Sequence, residues 1–314
     1  MKNLMKTITM LQRAYVHAVR PLHGVRGVGR LSRLVNKVFL KSGVPPIQTG
    51  RMRDRTLMRL DLRSQTEWYA FYSGRYDDAT IALICRLLTN SGGNFLDVGG
   101  NIGMYVIRVA ANLDAVQRIL CFEPVPENAR RIRENLRLNN LKQKVEVFEV
   151  ALSDKDGEAE LVLREDFEMG SATGNASVAI SKDADGRFKR ILVKTHRYDT
   201  LMSNCAPAGF AVVKIDIEGH EDFFMRGAAK WLNGERPIII TEINNSYYKW
   251  RGTTSSAVFS AVMPHDYQTA LLQTRGTKSR LERFPVNQFA DLTQLSTCIL
   301  YPIELQDLLW KLVK

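Results

Sequence analysis

A chain of 314 residues has room for one large domain with attachments or two small ones, and 45% hydrophobic with 25% charged residues is an ordinary globular composition. The net charge is +11, but residues 1–64 hold 14 Lys and Arg against only Asp54 and Asp61, or +12, which leaves 30 basic and 31 acidic groups, or −1, for the rest. A neutral main body argues against a basic groove across the fold, so no nucleic-acid partner is expected.

Residues 1–64 read as a basic helical arm. Leu4, Ile8, Leu11 and Tyr15 fall at helical spacing, as do Leu31, Leu34, Val35 and Val38, with Arg30, Arg33, Lys37 and Lys41 between them. Pro21, Gly24, Gly27 and Gly29 interrupt the pattern, and Gly43-Val44-Pro45-Pro46 breaks it again. Two readings stay open: an arm in peripheral contact with an anionic membrane, or two helices packed on the domain with a basic solvent face. No apolar run approaches the length of a membrane span, and no secretory signal is recognised. Cys85, Cys121, Cys205 and Cys298 are far apart and lack metal-ligand spacing. The simplest compartment is therefore the reducing cytoplasm, at the inner membrane face if the arm binds lipid.

Residues 65–314 form the main domain. An aromatic stretch (Trp68, Tyr69, Phe71, Tyr72, Tyr76) leads into a helix through Ile81, Ile84, Leu87 and Leu88, ended by Ser91-Gly92-Gly93. Short apolar strands follow at Asn94–Val98, Arg118–Phe122, Val145–Val150, Ala211–Ile217 and Pro237–Ile243, alternating with helical patterns. Such alternation implies an α/β fold, a parallel sheet covered by helices. Thr269–Leu272 and Thr297–Tyr301 can pair as a final antiparallel hairpin. Residues 158–200 break the rhythm, and Glu158–Leu163 and Arg190–Thr195 read as the exposed strands of a β insertion.

After the first of these strands comes Asp97-Val-Gly-Gly-Asn-Ile-Gly103, a glycine turn where α/β folds bind ligands. A dinucleotide loop needs G-x-G-x-x-G; counted from Gly99, Asn101 and Met104 fail it, and Asp97 would repel a pyrophosphate. S-adenosyl-L-methionine lacks phosphate and carries an ammonium and a sulfonium, so an acid there is favourable. Gly99, Gly100 and Gly103 let the backbone pass close, and Asn101 can start the next helix. Glu123, ending the second strand, can accept hydrogen bonds from a ribose diol.

These stretches, with Phe122-Glu-Pro-Val-Pro-Glu-Asn128, Ala151-Leu-Ser-Asp154, Lys214-Ile-Asp-Ile-Glu-Gly-His-Glu221 and Thr241-Glu-Ile243, resemble the FkbM-type methyltransferases of the class I superfamily. The likeness spans roughly residues 94–245; Gly100 stands where that family more often has Ala, a change not expected to disturb binding. It implies a Rossmann-like, seven-stranded, mostly parallel sheet with an antiparallel last strand. It also implies Asp97, Gly99, Asn101 and Gly103 around the methionine moiety, Glu123 at the ribose with Asn128 a secondary cofactor-binding candidate, and Ser153 and Asp154 at the adenine. Asp216 would face donor and acceptor, and the reaction would be O-methylation.

Lys214, Asp216 and Glu218 alternate along one strand and should share a face. A hydroxyl acceptor needs a base, and Asp216, Glu218 and His220 are the candidates, His220 also reading as a simple helix-start residue. A divalent cation on Asp216, Glu218 and Glu242 is allowed but not favoured. Asn244-Asn-Ser-Tyr-Tyr-Lys-Trp250 reads either as a sugar-binding wall or as an aromatic packing cluster. The acceptor expected is a sugar hydroxyl in a glycan or lipid-linked saccharide. The competing readings are a small secondary metabolite such as a polyketide, and a nucleoside-binding protein without turnover.

Overall fold

The computed structural model describes residues 2–113, 118–163, 176–178, 188–203, 209–275 and 278–313. Cys205 and most of the polar stretch linking the two insertion strands lie outside these residues. The chain opens with α1 (Lys2–Val19) and α2 (Val28–Lys41), followed by an antiparallel hairpin of β1 (Ile47–Arg51) and β2 (Leu57–Asp61). The hairpin was not evident in the basic sequence. It forms because Met58 and Leu60 bury one face, while two asparagines, one in a later helix and one just past its end, complete the backbone of β2. Asn135 accepts from Arg59 N–H at 2.7 Å, and Asn139 both accepts from Leu57 N–H at 2.9 Å and donates to its carbonyl at 2.6 Å.

Next come α3 (Gln65–Ser73) and α4 (Asp78–Ser91). Ser64 caps α3, and Gly74 ends it in the left-handed region at φ 68°. The core then alternates β3 (Asn94–Val98), α5 (Met104–Asn112), β4 (Ile119–Phe122), α6 (Pro126–Leu138, proline in its first turn) and β5 (Val145–Phe148). A separate four-stranded sheet holds β6 (Ala151–Leu152), β7 (Gly157–Leu163), β8 (Ala176–Val178) and β9 (Lys189–His196), so it begins before residue 158 and has more than the two strands expected. The core resumes with β10 (Phe210–Ile215), α7 (Glu221–Gly227), α8 (Ala229–Glu235), β11 (Ile238–Ile243), α9 (Asn245–Trp250) and α10 (Ser255–Val262). It ends with β12 (Tyr267–Arg275), β13 (Lys278–Arg283), β14 (Ser296–Pro302) and α11 (Gln306–Leu312).

The main sheet runs β13-β12-β14-β11-β10-β3-β4-β5. Strands β11, β10, β3, β4 and β5 are mutually parallel, and β14 is antiparallel to both neighbours. The Rossmann-like fold expected from the sequence is present, with an eighth strand, β13, added at one edge. Thr269 and Ala270 do pair antiparallel with Leu300 and Ile299, but β13 intervenes in the chain. Alternate residues of each central strand enter opposite cores. Phe95, Val212, Ile238 and Ile240 join helices α4 to α6 on one face; Leu96, Val213, Ile239 and Ile243 join Phe224, Phe259 and Phe289 on the other. Among the described residues no helix is long and apolar enough to cross a membrane.

Arg108 on α5, buried, ties the hairpin to the domain. It bonds Asp54 and the Tyr76 carbonyl at 2.5 Å each and Asp78 at 2.9 Å. Burial alone would raise the Asp54 pKa, but the Arg108 charge and hydrogen bond hold it below the usual range. Arg108→Ala leaves both acids without this partner, and because each is partly solvated the expected loss is about 2–3 kcal/mol. A lowered urea midpoint at unchanged m-value would show it; an unmoved midpoint would refute the clamp.

Candidate active site

The C-terminal ends of β3, β4, β10 and β11 open into a cavity of about 860 Å³. Gly99, Asn101, Glu123, Asn128, Ser153, Asp154, Asp216, Glu218 and His220 all line it, so most of the residues singled out in sequence are brought together. Asp97 and Gly103 stand just behind the wall. Among the described lining residues ten are Asp or Glu, while Lys155 is the one Lys or Arg. The field in such a cavity favours a cation and opposes a phosphate.

The glycine turn has a structural cause. Gly99 sits at φ 88°, and a Cβ there would run into the Asp216 backbone carbonyl where β3 and β10 end side by side. Gly99 and Gly100 both donate to the Phe122 carbonyl, at 2.9 and 3.0 Å, and Asn101 N–H donates to Glu123 at 2.7 Å. These three N–H groups are therefore engaged within the fold, unlike those of an anion cradle. Asn101 does not cap the next helix as expected; α5 starts at Met104 with Gly103 before it, and Asn101 is a left-handed residue at φ 49°. A Cβ on Gly100 would strike Cys121 Sγ, so in this chain the glycine is matched to its cysteine neighbour.

Glu123 is buried and accepts three bonds, from Asn101 N–H, Val125 N–H at 2.9 Å and the Asn128 side chain at 3.3 Å. A carboxylate has about four acceptor positions, which leaves roughly one for a ligand hydroxyl. Burial pushes its pKa up to about 7, against the pull of these hydrogen bonds. Asp97 is also buried, with neither oxygen in a hydrogen bond of normal geometry, and burial raises it to about 7 although Lys214 opposes the shift.

Lys214 lies in the middle of this acid set. It pairs in register with Asp97, is fully buried, and places Nζ 3.5 Å from Asp216 and 4.0 Å from Glu242. The Tyr105 ring covers it at 4.8 Å, and Tyr105 in turn donates to Asp77 at the start of α4. Burial alone would lower its pKa, yet Asp216, Glu242, Asp97 and Asp77 together raise it. Lys214 thus supplies the positive charge between Asp216 and Glu242, two of the three carboxylates that a divalent cation would need. Among the described residues no group of three or more His, Cys, Asp or Glu is arranged to hold an ion. Burial also lifts Glu242 to about 7, with Asp216 adding to it.

Glu218 does not share a strand face with Lys214: β10 ends at Ile215, and Asp216, just past it, is the last residue held to β3, its N–H donating to the Val98 carbonyl at 2.9 Å. The chain then turns through Glu218 at φ 55° and Gly219 at φ 89°. Glu221 folds back to accept from Gly219 N–H at 3.1 Å and is itself held by the Tyr248 hydroxyl at 2.6 Å. Burial and the Asp216 charge raise Glu218 to about 8, against a hydrogen bond from Tyr247. His220 stacks on Phe223 at 4.2 Å, and burial lowers it to about 4, which leaves it a weak base near neutral pH.

The 244–250 segment divides. Asn244 and Tyr247 line the cavity, whereas Asn245 bonds the carbonyls of Phe289, Ala290 and Leu292, and Tyr248 is buried on Glu221. The packing reading therefore holds for Asn245 and Tyr248, while Asn244 and Tyr247 face the cavity. Tyr76, Asp77, Tyr105 and the role of Lys214 were missed in the sequence. A lysine inside the apolar run Ala211–Ile217 was the available signal.

Gly100→Ala should destabilise the chain by about 1–3 kcal/mol through overpacking, and adding Cys121→Ala should restore most of it. A denaturation cycle with strictly additive effects would refute the pairing. The raised carboxyls hold protons in the fold that the unfolded chain has already released. Stability of the free protein should therefore fall as pH rises from about 4.5 to about 8. Below about pH 4 it should fall again, as Asp54 and Asp222, held low by arginines, take up protons. Melting temperatures across this range test the maximum near pH 5.

Comparison with known proteins gives four likenesses. A family model described as the methyltransferase FkbM domain matches residues 97–278. The 2-O-methyltransferase NoeI of Sinorhizobium fredii is 28% identical over 178 residues, 52% of this chain and 68% of that protein. The crystal structure of methyltransferase FkbM from Methylobacillus flagellatus aligns with TM-score 0.40 and 15% identity over 76% of this chain and 55% of that one. An O-methyltransferase from Bacillus cereus, solved in complex with SAH, aligns with TM-score 0.38 and 16% identity over 70% and 79% of the two chains.

Proposed function

Because the chain belongs to the FkbM methyltransferase family, we propose that it is an S-adenosyl-L-methionine-dependent O-methyltransferase acting on a sugar hydroxyl in a glycan or lipid-linked saccharide. The observation that carries this reading is the acid-lined cavity beneath the glycine turn, with ten carboxyl residues to one lysine. A donor with two positive charges and no phosphate fits it. Gly99, Asn101 and Gly103 shape the pocket for the methionine moiety, and the buried Asp97, beside Lys214, is one of the acids behind them. Glu123, steadied by Asn128, keeps one acceptor position for a ribose hydroxyl, and Ser153 and Asp154 border the adenine.

When bound, the donor supplies a methyl group on a sulfonium, already activated for displacement. The remaining tasks belong to the chain: to hold the acceptor oxygen in line, exclude water and accept its proton. Asp216 and Glu218 are the groups assigned to orienting the hydroxyl and taking the proton at a carboxylate oxygen. Glu218, raised to about 8, has the basicity such a step asks for, and His220 does not. Oxygen as the acceptor atom is supported by the name of the relative NoeI, a 2-O-methyltransferase. Asn244 and Tyr247 offer an amide and an aromatic face of the kind that packs on sugars. Residues 1–64 are read as a peripheral contact with an anionic membrane at its cytoplasmic face.

Calorimetric titration with S-adenosylmethionine tests the core of this reading. Wild type should bind, and Glu123→Ala should bind about 10–100-fold more weakly, the scale of a hydrogen bond to a charged group. No binding by wild type sinks it. A mass-spectrometric screen of saccharides should find one added methyl, with a rising limb in the rate near pH 8 that Glu218→Gln removes; an unchanged limb would reassign the base.

A further inference from the structure

The arm helices pack Tyr15, Val16, Val19, Val28 and Leu40 on the core but leave a second set of apolar residues outside. The side of α2 that meets the domain carries the buried polar residues Ser32 and Asn36, while Leu31, Leu34 and Val38 face outward, 52%, 62% and 62% exposed. Their spacing of three and four residues makes one continuous apolar stripe on the helix. An amphipathic helix that served packing alone would bury that stripe. Directional bonds hold the opposite orientation in place. Asn36 donates to the Leu62 carbonyl at 2.7 Å and accepts from Tyr72 OH at 3.3 Å. Gln12 of α1, fully buried, donates to the same hydroxyl at 3.1 Å, and Ser32 meets Tyr15 at 3.2 Å. Rolling α2 to bury its leucines would break this polar network.

The exposure is concentrated as well. Of the twelve exposed large hydrophobic residues described, Met10, Leu11, Leu22, Val25, Leu31, Leu34 and Val38, seven in all, lie on this arm. Arg30, Arg33, Lys37 and Lys41 form a basic band along one border of the α2 stripe, and residues 1–41 contain nine Lys and Arg with no Asp or Glu. A second copy of the chain would bring like charge against like charge at this face. An anionic bilayer offers apolar acyl chains for the stripe and negative headgroups for the band.

We propose that α2 lies in the interface of an anionic membrane, with Leu31, Leu34 and Val38 inserted at the headgroup boundary and Arg30, Arg33, Lys37 and Lys41 on lipid headgroups. The inference rests on the membrane reading of residues 1–64 and names the surface that performs it. The polar network then fixes how the whole domain stands on the membrane. The arm acts as an oriented foot.

Flotation of the full chain with vesicles tests this. Wild type should bind phosphatidylglycerol-containing vesicles, release with rising salt, and bind pure phosphatidylcholine about tenfold or more weakly. Leu31→Asn/Leu34→Asn/Val38→Asn should lose about tenfold or more of the binding while keeping the wild-type melting temperature and S-adenosylmethionine affinity. If the triple variant binds anionic vesicles as wild type does, the α2 stripe is not the docking surface although the membrane reading survives. If wild type does not bind at all, both fall. A concentration-dependent dimer in sedimentation, abolished by the triple variant and unaccompanied by vesicle binding, would assign the stripe to a second copy and overturn the inference.

Discussion

A single buried ammonium holds the site together. Lys214 is placed by the strand, in register with Asp97, where water cannot reach it. Asp216, Glu242, Asp97 and Asp77 make its burial tolerable, and it makes theirs tolerable in return. Remove that charge and the strand ends carry acids with nothing to oppose them. The cost is strongly directional, because a buried acid cluster left without its cation must take up protons or open to water. The cationic donor proposed above would add a second positive charge to the same set, so that fold and proposed ligand would answer to one electrostatic requirement.

Glu123 shows how closely structure and binding share groups. Its carboxylate ends β4, accepts the Asn101 N–H, and so fixes the glycine turn relative to the neighbouring strand. The same group is the one available to a ligand hydroxyl. Asn128, one turn into α6, keeps it from swinging away. Any change at Glu123 is then felt by the loop as well as by a ligand, and its effects on affinity include the reordering of residues 99–103.

Much of this was legible in the amino-acid sequence. Strand runs flanked by glycine and proline gave the parallel sheet nearly to its boundaries, and Asp97, the glycine turn and Glu123 pointed to one ligand class. What stayed hidden depends on contacts distant in the chain. Gly99 is required by the Asp216 carbonyl more than a hundred residues away, and nothing local says so. Glu218 left the strand face because the backbone turned left-handed at that residue. His220 lost its basicity through burial that a linear pattern does not report. Periodicity located the apolar stripe of α2 but not the direction it faces, since a helix wheel is silent about which side meets a partner. There the polar residues decided, by bonding inward to Tyr72 and Leu62. Leaving the half-exposed Leu31, Leu34 and Val38 in water forgoes about 1–1.5 kcal/mol apiece, a penalty that a chain bound to lipid would not bear.

The eighth strand has an effect on how the molecule behaves in company. An open sheet ends in unpaired backbone groups that invite another chain to add itself. Without β13 that place would fall to β12, whose Thr269-Ala-Leu-Leu272 stretch is apolar and regular. Strand β13 covers it with Lys278-Ser-Arg-Leu-Glu-Arg283, five polar residues around the buried Leu281. A short final strand rich in charge offers another chain a poorer template for edge pairing than bare β12 would.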